Sequence, residues 1–447
     1  MTPIYKPVYW SYYSTSGLWH WARRRFTYPG LCVLVGIVGA GATGFDIENT
    51  VNYQAFALLM GILALGIIGS WYFRAKFKVV RRLPRVGTAG QPMHYSVDVT
   101  NLTADHQTDL ALLEDLTDPR PSYEEWLRFQ LAEGRRVRPF RLAQRRRRNP
   151  FRLAQTRSAQ VAPMTAHETV EVRVEVLPLR RGVLRFVGAT LARPDPLGVF
   201  RSFIRVPVPQ SVLILPRRYN LQSIDLPGSM RYQEGGVALA TNIGRSDEFV
   251  ALRDYRHGDP MRHIHWRSWA RIGKPIVKEY EDEFFVRHAL ILDTFDEEPN
   301  SEVLEECVSV ASSFACTVLT QESLLDLLFV GNQSYCFTAG RSLAHADQML
   351  EIMASVQNCP DKKFDTLETL VLNHVSLVSG CICVFQRWDE PRRELVRKMR
   401  LLGLPLMVLV VIPPGGAKPE PGPMRDNPGS FHVLEIGHIQ EQLARIK

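Results

Sequence analysis

Two long stretches near the start of the chain carry no charge: residues 26–45 and residues 49–73. Roughly 20 apolar residues in a helix cross a hydrocarbon core. Both stretches therefore read as membrane spans, with Asp46 and Glu48 between them. The flanks set the orientation. Arg23, Arg24 and Arg25 precede the first span, and Arg74, Lys76, Lys78, Arg81 and Arg82 follow the second. Basic flanks stay inside, so both ends of this transmembrane helical hairpin are expected in the cytoplasm of an inner (plasma) membrane. Tyr9, Trp10, Tyr12, Tyr13, Trp19, Trp21, Trp71 and Tyr72 crowd the same flanks, as interfacial aromatic belts do. The alternative is a cleaved leader with Ala40-Gly41-Ala42 as its processing site.

Beyond the hairpin the period shortens to two. Residues 94–99 and 169–176 alternate apolar with polar, and 183–187 and 203–208 do so more loosely. Alternation punctuated by Pro and Gly predicts antiparallel strands with one wet face, and hence a β-sandwich-like domain. From residue 288 onward, apolar runs alternate with helical patterns. Strands are expected at 289–292, 324–330, 335–338, 376–385 and 405–412, and helices at 301–321, 343–356, 394–402 and 438–446. That order predicts an α/β doubly wound sheet. The chain is thus read as multidomain: a hairpin with its flanks (1–76), a β domain (77–215), a connecting segment (216–284) and an α/β domain (285–447).

The length of 447 residues suits several domains. The net charge of +8 is local, because ten arginines and no acid lie between residues 135 and 157. This stretch, with Arg135, Arg136, Arg138, Arg145, Arg146, Arg147 and Arg148 at its centre, reads as a basic loop inserted in the β domain. It contains Pro-Phe-Arg-Leu-Ala-Gln twice, at residues 139–144 and 150–155. Beside a cytoplasmic leaflet it could bind anionic lipid; no nucleic-acid recognition fold surrounds it. Of the seven cysteines, most sit in apolar runs, as buried thiols do. Cys381 and Cys383 share one face of a strand, without the further Cys or His that a zinc site needs.

The densest chemistry lies in residues 248–283. Gly258-Asp259-Pro260 reads as a turn, with Asp259 capping a helix that starts near Pro260. Trp266, Trp269 and Ala270 then lie on a short helix near Arg262, Arg267 and Arg271. Arg253, Arg262 and Arg271 have Asp254, Asp259, Glu279, Glu281 and Glu283 as candidate partners, and planar guanidinium groups suit carboxylates. Such a network could fasten the segment to its neighbours, or present Arg and Trp to a partner. His263 and His265 are too close in sequence to share one helix face, so neither a metal site nor a catalytic pair is expected of them.

These residues resemble the bacterial family named domain of unknown function 58. The chain supplies its Phe, Arg-x-Tyr, Gly-Asp, Arg-x-Ile, Trp and Ala-Arg elements as Phe249, Arg253, Tyr255, Gly258, Asp259, Arg262, Ile264, Trp266, Ala270 and Arg271. Arg181-Gly182 and residues 195–200 (Asp-Pro-Leu-Gly-Val-Phe) resemble two further family elements. The resemblance implies a membrane-anchored protein with a von Willebrand factor A-like C-terminal domain, associated with AAA-type ATPases of the MoxR group. Such domains often hold Mg²⁺ through Asp-x-Ser-x-Ser. Here Asp293 stands with Phe295 and Glu297 in the places of the serines, so no cofactor is expected.

No Walker motif, nucleophile elbow or zinc-protease motif occurs. The chain is therefore expected to be a non-enzymatic adaptor with a protein partner. One alternative is a metal-dependent or hydrolytic enzyme using Asp293 and Asp259. The other is a lipid or nucleic-acid binder acting through the arginine run.

Overall fold

The fold is taken from a computed structural model, which describes residues 5–43, 50–136, 151–221, 249–259, 261–280, 287–296, 301–320, 324–339 and 343–446. It opens with three helices: α1 (Tyr5–Arg25), α2 (Tyr28–Thr43) and α3 (Thr50–Ser70). The aromatic flank read from the sequence is thus itself a helix. α2 and α3 run side by side, with Gly36 against Leu59 and Gly41 against Phe56. The residues that join them, Asp46 and Glu48 included, lie outside the described residues.

The β-rich domain comprises β1 (Phe77–Arg82), β2 (Val86–Thr88), β3 (Met93–Asn101), β4 (Ala111–Leu116), helix α4 (Tyr123–Arg136), β5 (Ala154–Thr156), β6 (Ala159–Gln160), β7 (Thr169–Pro178), β8 (Gly182–Pro194) and β9 (Arg201–Leu215). Its strands form two sheets, in the orders β1-β3-β7-β5 and β2-β9-β8-β4-β6. Alternation explains why they share one core. Val97, Val99, Val172 and Val174 come from the first sheet, and Leu112, Leu184, Phe186 and Val212 from the second.

One inward position of β1 carries a charge instead. The Arg81 guanidinium is fully buried and crosses to Glu114 of the other sheet, Nη2 to Oε2 2.5 Å and Nε to Oε1 3.1 Å. It also donates to the carbonyls of Gly188 and Val208, while the Tyr95 hydroxyl donates to Glu114 at 2.8 Å. A buried pair whose remaining donors are satisfied holds its geometry, and removing one partner costs about 3–5 kcal/mol.

The far end of the basic stretch belongs to this domain. Ala154 is buried, and β5 pairs with β7. The second Pro-Phe-Arg-Leu-Ala-Gln copy thus supplies an edge strand. Arg138, Arg145, Arg146, Arg147 and Arg148 lie outside the described residues, and Arg135 and Arg136 close α4.

Two joints hold this domain to its neighbours. At one end, Asp195 is buried and closes a turn, its Oδ1 accepting from the amides of Val199 (2.7 Å) and Phe200 (2.6 Å) and its Oδ2 from that of Leu197 (3.1 Å). The first turn of α2 sits on it. The Thr27 hydroxyl donates to Gly198 O, the Thr27 amide donates to Val199 O at 3.2 Å, and Phe26 packs on Phe200. A Cβ on Gly30 would lie 2.0 Å from Val199 O, so only glycine permits this approach. At the other end, Arg181 donates to the carbonyls of Met353 (3.1 Å) and Val356 (2.6 Å) and lies 2.6 Å from Glu305.

Between these bodies stand β10 (Phe249–Asp254), the short helix α5 (Trp266–Ile272) and β11 (Ile276–Tyr280). The last body contains β12 (Arg287–Leu292), α6 (Glu302–Thr320), β13 (Leu324–Val330), β14 (Ser334–Ala339), α7 (Leu343–Ser355), α8 (Asp365–His374), β15 (Gly380–Phe385), α9 (Glu390–Leu401), β16 (Leu406–Ile412), β17 (Phe431–Glu435) and α10 (Ile439–Leu443). Its sheet runs β14-β13-β12-β15-β16-β17, all parallel except β14. Helices cover both faces, so nearly every position of the four inner strands is buried, while the edge strands β14 and β17 are partly open. The strand expected at 376–385 begins only at Gly380, because Val375–Leu377 forms a 3₁₀ turn on the end of α8. The charge inside β13, Asp326, is met by Arg287 at 2.7 Å.

Two imidazoles lie in this sheet, His288 buried and His432 half-buried. Burial lowers His288 and His432 below the ordinary 6.5. The folded state therefore favours the neutral rings, while the unfolded chain takes up protons near 6.5. Their contribution to stability is whole above that value and declines as pH falls below it. The unfolding free energy of the purified chain should fall from pH ~7 to ~5, by at most on the order of 1 kcal/mol per pH unit and ring, and the melting temperature should fall with it. His288→Phe should reduce that slope in calorimetry, and an unchanged slope would refute the assignment.

Candidate functional site

The segment around Gly258 folds as a unit of its own. β10 and β11 pair antiparallel, with Arg253 opposite Val277 and Asp254 opposite Ile276. Between them the chain makes a turn, a 3₁₀ turn (Met261–His263) and α5. Ile264, Ile276 and Val277 are buried and form its small core, drawn together by His265 N donating to Ile276 O at 2.8 Å and Tyr255 N to Pro275 O at 3.0 Å. Gly273 ends α5 at φ 74°, where its amide donates to Trp269 O.

Asp259 does not cap the helix ahead of it. Its carboxylate folds back onto Arg253, which grips both oxygens at 2.7 and 2.8 Å, and accepts from the Arg256 amide at 2.8 Å. Helix α5 begins only at Trp266, so a cap at position 259 would be several residues too early. The Arg253 hydrogen bonds hold the Asp259 carboxyl down at about 2. The pair braces the turn against β10, within the unit.

With the turn fixed, α5 presents its side chains outward. Trp266 and Trp269 stack with centroids 5.2 Å apart and planes at 19°. Trp266 is 62% exposed, and Met261, Ile272 and Leu252 are exposed beside it. Arg256, Arg267, Ala270, Arg271 and Lys274 are exposed as well, whereas Tyr255 is half-buried. The side chains of Phe249, Arg262 and Glu279, and Pro260, Glu281 and Glu283 entirely, lie outside the described residues. His265 Nδ1 meets Ser268 Oγ at 2.6 Å. Chemically this is a flat apolar platform rimmed by guanidinium groups, the composition that dominates binding energy at protein interfaces.

The second candidate, Asp293, stands far along the chain at the C-terminal end of β12. There the strand order reverses between β12 and β15, which is where such sheets form their crevice. Asp293 is wholly buried. Its Oδ1 accepts from Phe295 N (3.0 Å) and its Oδ2 from Gln386 N (3.1 Å). The remaining approaches are taken by Arg392 from α9, with Nε and Nη2 at 3.0–3.1 Å from the two oxygens. Nη1 of Arg392 goes to Asp389 at 2.7 Å, Nη2 also to Phe295 O at 3.2 Å, and the guanidinium lies over the Phe364 ring at 4.5 Å. Burial pushes the Asp293 carboxyl up, and Arg392 and the two amides oppose that push. Both oxygens of Asp293 are thus occupied by donors from this chain.

These residues do not fit a divalent cation. A hard cation needs six or more oxygens, whereas both Asp293 oxygens already serve an internal cation. Thr294 Oγ1 is committed to Val330 O at 2.5 Å, Asp296 to Arg387, and Phe295 is buried against Phe364. Among the described residues no cluster of three His, Cys, Asp or Glu could hold a metal. Asp259 and Asp293 share no partner, each being consumed by its own arginine. Cys381 and Cys383 lie on one buried face, as read from the sequence, and burial pushes both thiols up, Cys381 to about 12. Arg392 and Gln386 escaped sequence reasoning; the only signal was Asp389-Glu390-Pro391, a helix start.

The class of protein follows. Residues 251–378 match the model of the family described as Protein of unknown function DUF58, so the resemblance carried by Arg253 to Arg271 holds over that span. A relative with the same kind of likeness is Uncharacterized protein YeaD of Bacillus subtilis (strain 168), 26% identical over 184 residues, covering 40% of this chain. The chain spans 44% of that relative's length. Among solved structures, a von Willebrand factor type A protein from Catenulispora acidiphila aligns over 38% of this chain and 42% of its own at 8% identity, with a TM-score of 0.26. A GH20 exo-β-N-acetylglucosaminidase from Vibrio harveyi aligns over 79% of this chain and 60% of its own at 8% identity, with a TM-score of 0.14.

Mg²⁺ or Mn²⁺ at millimolar concentration should move the melting temperature of the purified chain by less than about 1 °C. Asp293→Ala and Arg392→Met should each destabilise by about 3–5 kcal/mol, and the double variant by clearly less than their sum. Saturable metal stabilisation that Asp293→Ala abolishes would refute the assignment.

Proposed function

We propose that this chain is a non-enzymatic interaction protein anchored in a bacterial inner membrane. Helix α3 is, among the described residues, the one long and apolar enough to cross a bilayer, and the shorter apolar α2 packs along it. In this reading the two form a transmembrane hairpin with basic flanks inside. The β-sandwich and the von Willebrand factor A-like α/β domain then lie in the cytoplasm. The unit around α5 is the partner-binding surface, and its partner is an AAA-type ATPase of the MoxR group, as the family resemblance suggests. The carrying observation is the Trp266–Trp269 stack, with Trp266 exposed and Trp269 half-buried beneath it, braced by Arg253–Asp259. Large exposed aromatic side chains on a braced scaffold suit recognition. Arg392 filling the acid-topped crevice favours this reading over metal-dependent hydrolysis.

Affinity purification of the tagged full chain from detergent-solubilised membranes tests the partner. A MoxR-type ATPase should co-purify, and Trp266→Ala should reduce its recovery about tenfold, the loss typical of an interface hot spot. Undiminished recovery with Trp266→Ala would sink the platform assignment, and no ATPase in the wild-type eluate would sink the partner. Topology is tested separately. A reporter active only in the periplasm should be silent when fused after Lys447 and active when inserted at Asn49; the reverse would refute the orientation.

A further inference from the structure

Helix α1 has two unlike faces. One is fixed to the β-rich domain: Tyr9 OH donates to Pro121 O at 2.9 Å, Tyr12 stacks on the buried Trp126, and the Arg120 guanidinium lies 4.0 Å over the Tyr13 ring. Arg24 pairs with Asp115 at 2.6 Å. The other face carries Trp10, Ser14, Leu18 and Trp21, spaced three and four apart and so aligned on one side of the helix, with Trp21 half-exposed and one edge of its ring against Phe26 and Phe200. Trp10 is 64% and Leu18 66% exposed. The helix cannot roll to bury them without breaking the contacts behind it.

This bare face continues into others at the same level. α1 leads directly into α2, whose first turn sits on the Asp195 turn. The carboxylate of Asp195 also lies beside Gly66, one turn before the end of α3. Leu197 at the tip of that turn, Tyr28 at the start of α2 and Trp71 just past α3 are all exposed. Apolar and aromatic side chains therefore ring the end of the apolar helix pair. Exposed Arg23, Arg74 and Lys76 stand among them.

We propose that α1 and the tip of the Asp195 turn form a seat on the bilayer surface, with α1 lying in the plane of the acyl–headgroup boundary. The inference rests on the reading of α2 and α3 as membrane-spanning. The occupant follows from chemistry and continuity. Trp and Tyr favour the level where one end of the ring is apolar and the other wet. The bare face adjoins the apolar surface of α2, and the basic rim suits anionic headgroups. The seat fixes how the β-rich domain stands on the membrane, which a flexible tether would leave open.

The test uses the full chain in phosphatidylethanolamine–phosphatidylglycerol vesicles, with or without bromine on the upper acyl chain as a fluorescence quencher. The Trp10→Phe/Trp21→Phe variant and the Trp71→Phe variant are each compared with the wild type. All three positions are exposed, so the exchanges should leave the fold intact, which circular dichroism checks. Expected is a loss of bromine-quenched emission in both variants, placing Trp10, Trp21 and Trp71 at the boundary. Loss only in the Trp71 variant would overturn the seat and leave the spanning reading standing. Loss in neither would overturn both.

Discussion

A single buried carboxylate decides whether the chain is one molecule or several. Asp195 spends both oxygens on three backbone amides of its own turn, leaving the carbonyls of Gly198 and Val199 turned outward as acceptors. Those carbonyls receive Thr27, and behind Thr27 come Gly30, α2 and α3. A buried polar group is strongly held only when its hydrogen bonds are made, and both oxygens of Asp195 receive amides. The start of α2 takes its position from this turn, and the Asp195 carboxylate lies beside Gly66 of α3.

The same economy recurs with the opposite sign at other boundaries. Arg181 reaches the last carbonyls of α7, where an unsatisfied helix end attracts a cation, and touches Glu305 of α6. Arg253 closes the turn that carries α5, and Arg392 closes the crevice over β12. Each grips two or more acceptors from different segments. A planar fork with five donors can do this, whereas a lysine, a point charge on a flexible stem, cannot match the geometry. Of the residues that carry the family resemblance, Arg181, Asp195, Arg253 and Asp259 spend their side chains on contacts that hold one segment to another.

Much of the architecture was legible because burial imposes a period. β7 alternates strictly, and β13 falls on the expected residues without a shift. Other elements were missed. α4 carries charge at six of its fourteen positions beside the basic run, which hid its apolar side around Trp126, though Ser122 and Glu125 form a reciprocal cap that the sequence displays. β17 is short and half-exposed at a sheet edge, so it carries no apolar run. The platform around Trp266 could be anticipated because its residues lie close together in sequence. Asp293 was read as a depleted metal site from its missing hydroxyls, but its true partner could not be named. Arg392 is 99 residues away, and nothing local in either segment announces the pairing.

The missing side chain at Gly30 has a mechanical consequence. With no Cβ in the way, the backbone of α2 lies directly against the carbonyl of Val199. No compliant element separates them. At the opposite end the joint is made differently: the Arg181 side chain reaches across to the carbonyls of Met353 and Val356 and to Glu305. One boundary is therefore set by the absence of a side chain and the other by the longest fork a side chain offers, so a methyl group at Gly30 would push α2 off its seat while leaving the Arg181 contacts untouched.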